Sequence, residues 1–166
     1  MSETFTPQNG DDARDYRPRL VLDTNTVLAL WMFRDPKLDK LRVWIEAGKC
    51  RLYSREDALT ELNHVLNDGR FSLLPTLRHE LENKYRSRLE PPSSASRAVP
   101  RGSTLPGCRD PDDQKFLEIA HTLGATHLLT RDKALLRLNG HRLVREHFRI
   151  LTPEQFQKEL PSHSRR

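Results

Sequence analysis

The sequence predicts an α/β protein, a three-layer α/β/α sandwich around a mostly parallel sheet. Two observations carry this. Leu20-Val21-Leu22 is a short continuous apolar run, the pattern of a strand buried on both faces. Further strand-like runs then alternate along the chain with segments whose apolar residues recur at helical spacing. A length of 166 residues suits one domain with a single core.

The elements follow in order. Residues 1–17 are polar and predict a flexible arm. A strand at 19–22 is followed by helices over 24–33 and 36–47. The second of these aligns Leu38, Leu41, Trp44 and Ile45 on one stripe, and Gly48 ends it. Residues 50–53 predict a second strand. Ser54-Arg55-Glu56-Asp57 then opens a helix to about residue 66, in an arrangement close to a capping box. Pro75 begins an amphipathic helix over 75–89. Residues 90–109 are rich in Pro, Gly and Ser and predict a long loop, with room for one brief strand at Ala98-Val99. Asp110 is the expected N-cap of the next helix, with Pro111 at its first position and Gly124 at its end. A strand at 126–130, a short helix at 133–138 and a strand at 148–151 complete the alternation. Thr152-Pro153 starts the last helix. The folded domain is expected over 18–160, with a basic tail at 161–166.

Composition narrows the function. Hydrophobic residues make up 36% and charged residues 31% of the chain. No apolar run approaches the ~20 residues a membrane span needs. The N-terminal stretch lacks the basic-then-apolar pattern of a signal peptide, so a cytoplasmic location and no membrane partner are expected. Cys50 (read as a strand residue) and Cys108 (a loop residue) are too few for a disulfide framework or a zinc site of their own. The formal charge of +5 favours polyanionic partners.

Four acidic residues carry the chemistry. Asp23 closes the first strand. Glu61 lies near the apolar stripe of Ala58, Leu62, Val65 and Leu66. Asp113 shares a helical face with Phe116, Leu117 and Ala120, and Asp132 follows the strand ending at Thr130. Each has a plainer reading: Asp23 and Asp132 as helix caps, Glu61 as a marginal residue reaching water or an arginine, Asp113 as a first-turn acid. Together, at the ends of parallel strands, they predict one cluster of carboxylates. Such a cluster repels itself unless a hard cation such as Mg²⁺ or Mn²⁺ lies within it. The expected function is therefore a metal-dependent nuclease. Asp23 and Asp113 would anchor one ion, Glu61 and Asp132 would complete its site, and a metal-activated water would attack phosphorus. The products would be a 5′-phosphate and a 3′-hydroxyl. Arg34, Arg97, Arg101, Arg109 and Arg131 are candidate phosphate contacts. Arg109 and Arg131 are favoured because each neighbours a proposed acid.

Other signals are weaker. Glu61 and His64 have the spacing of di-iron bundles, but it occurs once and on an α/β pattern. Trp31 and Trp44 have apolar neighbours at helical spacing and predict core packing. Ser93-Ser94-Ala95-Ser96 has no triad context. A haloacid-dehalogenase phosphotransferase would want Asp where Asn25 stands, and no Walker loop is present.

These motifs also carry a resemblance. Val21-Leu22-Asp23-Thr24-Asn25, Ser54 with Ala58-Leu59-Thr60-Glu61-Leu62, Cys108-Arg109-Asp110-Pro111-Asp112-Asp113-Gln114-Lys115-Phe116-Leu117 and Leu129-Thr130-Arg131-Asp132 together resemble the PIN-domain family of ribonucleases. The likeness covers roughly residues 19–158. The Asp-Pro-Asp-Asp version is similar to the bacterial subgroup assigned to the toxins of toxin–antitoxin systems. The resemblance implies about five parallel strands flanked by helices, and an RNA-cleaving site using Mg²⁺ or Mn²⁺. It implies catalytic and metal-binding roles for Asp23, Glu61, Asp113 and Asp132. Asn25, Thr130 and Asp110 are expected to support the site. RNA, an antitoxin protein and a second copy of the chain are the expected partners. Two rival readings are a PIN-like module that binds RNA or protein with negligible turnover, and a nuclease for single-stranded or flap DNA.

Overall fold

The strands that alternate with helices in sequence lie side by side in space. A computed structural model describes residues 16–91 and 105–162. Its strands are β1 (Arg19–Leu22), β2 (Arg51–Tyr53), β3 (His127–Leu129) and β4 (Arg149–Leu151). They form one parallel sheet in the order β2-β1-β3-β4. Among the described residues eight α-helices accompany them: α1 (Thr24–Val27), α2 (Asp39–Glu46), α3 (Glu56–Leu66), α4 (Pro75–Arg86), α5 (Gln114–Thr122), α6 (Lys133–Leu136), α7 (Arg142–Arg145) and α8 (Pro153–Glu159). Among the described residues, no helix is long and apolar enough to cross a membrane.

The strands read as unbroken apolar runs because both faces are covered. Successive side chains of a strand point to opposite faces. Leu20, Leu22, Leu129 and Leu151 join one core, which holds Leu41 and Ile45 of α2, Leu59, Leu62 and Leu66 of α3, Leu81 and Tyr85 of α4 and Phe156 of α8. Val21, Leu128 and Ile150 join the other, with Phe116, Leu117, Ile119 and Ala120 of α5, Leu135 of α6 and Val144 of α7. The three layers predicted from the alternation are present. Trp31 and Trp44 pack against the first core, as their spacing suggested.

Several local expectations need correction. The sheet has four strands among the described residues where about five were expected. A single bridge, Leu52 to Leu89, marks a fifth place beside β2, and Glu90 N–H donates to Leu52 O at 2.8 Å. Pro91 follows directly and has no N–H with which to extend a ladder. The helix expected at 24–33 changes character: α1 passes into a π-helical turn at Leu28–Met32, and Phe33 N–H reaches back to Leu28 O at 2.8 Å. Cys50 precedes β2 rather than lying in it. The capping box expected at Ser54 is absent. Arg55, one residue later, is the extended residue before α3, and its guanidinium has no acceptor for the first-turn N–H groups; the Ser54 hydroxyl bonds buried Tyr85. α7 was not anticipated. The expected strand at Ala98-Val99, the Ser93–Ser96 cluster, Arg97, Arg101, nearly all of the N-terminal arm and the last four residues lie outside the described residues.

At Thr152 the sequence signal holds. Its hydroxyl accepts from Gln155 N–H at 3.0 Å, and the Gln155 side chain accepts from Thr152 N–H at 3.0 Å. Thr152→Ala should therefore cost about 1 kcal/mol in urea denaturation. An unchanged midpoint would mean that packing of Phe156, not the cap, sets the start of α8.

Candidate active site

The order β2-β1-β3-β4 creates one crevice. From β1 the chain moves outward to β2, then returns to place β3 on the other flank. The reversal lies between β1 and β3, and parallel α/β sheets bind ligands beyond the carboxyl ends of the strands at such a switch point. Leu22 pairs in register with Leu129. The residues that follow, Asp23 and Thr130, are consequently neighbours across the switch.

Asp23 is 4% exposed. One carboxylate oxygen accepts from Thr26 N–H at 2.9 Å and caps α1. The other accepts from the Thr130 hydroxyl at 2.5 Å. Thr26 is itself buried, and its hydroxyl donates to Leu129 O at 3.1 Å, which ties α1 to the end of β3. Burial pushes the Asp23 carboxyl above its ordinary value. The bonds from Thr130 and Thr26 oppose that shift, and the charge of Asp132 adds to it.

Thr130 is fully buried and works in both directions. Its hydroxyl donates to Asp23 and accepts from Asp132 N–H at 2.9 Å. Asp132 in turn caps α6, accepting from Ala134 N–H at 2.7 Å and Leu135 N–H at 3.3 Å through one oxygen. Asp23 and Asp132 are thus helix caps, as their plainer reading held, and they are also linked through one threonine.

Asp113 arrives from the opposite core layer. Asp110 caps a 3-10 turn at Pro111–Asp113, accepting from Asp112 N–H at 3.0 Å, and α5 follows at once. Asp113 is half-buried. Its carboxyl is pushed up to about 7, first by burial, then by the charges of Asp132 and Asp110, by hydrogen bonding to Asp132 and by the charge of Asp23. Three of the four predicted acids therefore act on one another.

Glu61 is held differently. One oxygen accepts from the Thr24 hydroxyl at 2.5 Å, and the other pairs with Lys115 Nζ at 3.1 Å. It lies at the margin of the apolar stripe of α3, whose buried members are Ala58, Leu59, Leu62 and Leu66; Val65, expected in that stripe, is only partly buried. Among the described residues no group of three or more acidic, His or Cys side chains encloses a ready cation position.

The remaining candidates divide. Asn25 is exposed, and its neighbour Thr24 is the residue that reaches Glu61. Arg109 is exposed beside Asp110. Arg131 is engaged away from the acids, by Asp35 at 2.8 Å and by Glu154. Arg34 is exposed, with a left-handed φ of 47°. His64 is exposed. Cys50 and Cys108 are both free thiols; burial pushes Cys50 up to about 12. Sequence reasoning missed Thr24, Thr26 and Lys115. The signals were present: two threonines flank Asn25, and Lys115 falls two residues after Asp113.

The donor set suits a hard divalent ion. The available atoms are carboxylate and hydroxyl oxygens, which Mg²⁺ and Mn²⁺ prefer. The charge of Asp132 helps to push the Asp113 carboxyl up, and a bound cation would offset that repulsion. Mg²⁺ commonly takes one or two carboxylates and keeps its waters, so a preformed cage is not required. Asp113 and Asp132 are the residues that would hold it, with Asp23 and Glu61 nearby.

Comparison with known proteins matches the expected likeness from its start at residue 19 but not to its expected end at 158. A family model described as PIN domain matches residues 19–134, from the start of β1 into α6, and spans all four acids. An uncharacterized protein, MJ1680 of Methanocaldococcus jannaschii, is 28% identical over 148 residues, covering 86% of this chain and 91% of its own length.

Proposed function

The chain belongs to the PIN domain family, and from that premise we propose that it is a divalent-metal-dependent endoribonuclease. The family membership itself carries a nuclease-like function in general terms. One observation supports the finer reading above others. Asp113 and Asp132 are brought together at the switch point of a parallel sheet, with Asp23 bound to Thr130 beside them.

In this reading each residue has a task. Asp113 and Asp132 supply the oxygens for Mg²⁺ or Mn²⁺. Asp23, locked by Thr130 and Thr26, holds its charge in a fixed direction at the ends of β1 and β3. Glu61 completes the acidic rim once it is released from Lys115. Such an ion supplies Lewis-acid activation of water and offsets charge on the phosphate oxygens. Hydrolysis leaves a 5′-phosphate and a 3′-hydroxyl. The charge of +5 supports a polyanionic substrate, and RNA is taken as that substrate. A toxin role, an antitoxin partner and a homodimer belong to the same proposal, resting on the Asp110-Pro111-Asp112-Asp113 motif. A cytoplasmic location belongs to it as well.

A labelled single-stranded RNA incubated with Mg²⁺, Mn²⁺ or EDTA tests the reading. Cutting with either metal and none in EDTA is the expected result. One observation favours a binding module with negligible turnover: Glu61 is already neutralised by Lys115. Metal binding without cleavage of RNA would select that reading. Cleavage of single-stranded or flap DNA alone would redirect the substrate.

The two favoured arginines should behave differently. Arg109→Ala should weaken RNA binding and lower the slope of log affinity against log salt by about one unit. Arg131→Ala should leave that slope unchanged, because Asp35 and Glu154 hold the guanidinium. Its loss should cost less than about 1 kcal/mol of stability, since the pairs are exposed. Equal slopes for the two variants would remove Arg109 as a phosphate contact.

A further inference from the structure

Lys115 lies where a cation is electrostatically disfavoured, yet it is held there. It sits in the first turn of α5, where the helix dipole opposes positive charge. Its side chain is only 20% exposed. The ammonium crosses from α5 to α3 and meets Glu61 Oε1 at 3.1 Å, while the Thr24 hydroxyl takes Oε2 at 2.5 Å. It also lies 5.7 Å from the centre of the Phe116 ring. Arg55 and Arg131 are occupied by other carboxylates, while Arg109 lies exposed beside Asp110.

We propose that Lys115 competes with the metal ion for Glu61. Without metal its ammonium neutralises this carboxylate; once a divalent cation takes Glu61, Lys115 turns to a phosphate oxygen of the bound strand. This rests on the metal-dependent reading above. The physical basis is charge and reach. Each Glu61 oxygen already has one partner, and the ammonium at 3.1 Å places a positive charge where a metal ion would approach, so the two cations repel each other at this carboxylate. A partly exposed ion pair is a weak contact and gives way to a doubly charged rival. The four-carbon stem of lysine lets the ammonium move without moving α5. Its ammonium, already at the Glu61 carboxylate, would then carry positive charge to a phosphate held by that same metal ion.

Calorimetric titration of Mn²⁺ into wild type, Lys115→Met and Lys115→Arg tests this, paired with RNA cleavage at saturating Mn²⁺. Met keeps the apolar stem and removes the charge, and circular dichroism verifies its fold; Lys115→Gln repeats the test should the Met variant not fold. Lys115→Met is expected to bind Mn²⁺ about five- to tenfold more tightly, since a competing cation is gone. The same variant should cleave about 10- to 100-fold more slowly, with Lys115→Arg recovering part of the rate. Unchanged or weaker Mn²⁺ binding by Lys115→Met overturns the competition. Tighter binding with an undiminished rate overturns the phosphate role. If wild type binds no Mn²⁺ at all, the metal-dependent reading itself falls, an outcome distinct from metal binding that ignores Lys115.

Discussion

Asp113→Asn is expected to lower metal-stimulated RNA cleavage by roughly 100-fold or more while making the metal-free protein more stable at neutral pH. The two effects have one origin. Asp113 carries a carboxyl pushed up to about 7 from an ordinary 3.8, by burial and by Asp132, Asp110 and Asp23. The folded protein therefore retains a proton over a pH range in which the unfolded chain has lost it. Stability tied to this group is fully present below about pH 4 and is lost as pH rises through about 7. Asn keeps the shape, carries no charge and escapes that loss. Thermal melts in EDTA between pH 5 and 8.5 should show wild type falling and the variant nearly flat, with the variant higher at pH 8. Added Mn²⁺ should raise the wild-type midpoint and leave the variant's unmoved, because a ligand stabilises only the state that binds it. A variant that melts lower than wild type at every pH would mean that Asp113 is a structural acid. Full cleavage by the variant, in a preparation free of contaminating nuclease, would remove it from the site.

Much of this was legible from the residues. Leu20-Val21-Leu22 announced a doubly covered strand, and the covered faces are present in both cores. Asp110-Pro111 announced a helix start, and so did Thr152-Pro153, where a capping box with Gln155 forms. Asp23, Asp113 and Asp132 could be placed at one sheet edge because strand ends and helix starts are local features. What was not legible depends on contacts distant in sequence. Ser54 looked like a cap until Tyr85, 31 residues later, took its hydroxyl. That Glu61 pairs with a lysine was not legible, because Lys115 lies 54 positions away. Arg131 adjoins Asp132 in sequence, yet its guanidinium goes to Asp35 and Glu154. The π-helical turn after α1 has no signature in side-chain spacing.

Thr130 is where fold and chemistry are hardest to separate, and its replacement should have the second-largest effect. Thr130→Val keeps the buried volume and removes the hydroxyl that donates to Asp23 at 2.5 Å and accepts from Asp132 N–H at 2.9 Å. Losing a bond to a buried carboxylate should cost about 1–3 kcal/mol at neutral pH. The pH dependence identifies the cause. Burial already pushes the Asp23 carboxyl up, and the Thr130 bond opposes that shift. Without the bond the folded carboxyl rises further. The added penalty is then greatest at neutral pH, where the carboxyl is ionised, and it fades on acidification as the raised carboxyl of each folded protein takes up its proton. Urea denaturation of wild type and Thr130→Val at pH 4.5 and 7.5 should show a gap that widens with pH. A gap equal at both pH values would mean that Val harms packing and that the hydroxyl does not govern Asp23. Thr130→Ser separates the roles once more, since it retains the hydroxyl and loses only a methyl group. It should hold the acidic pair in register, with a cleavage rate close to wild type, while Thr130→Val loses most of its activity.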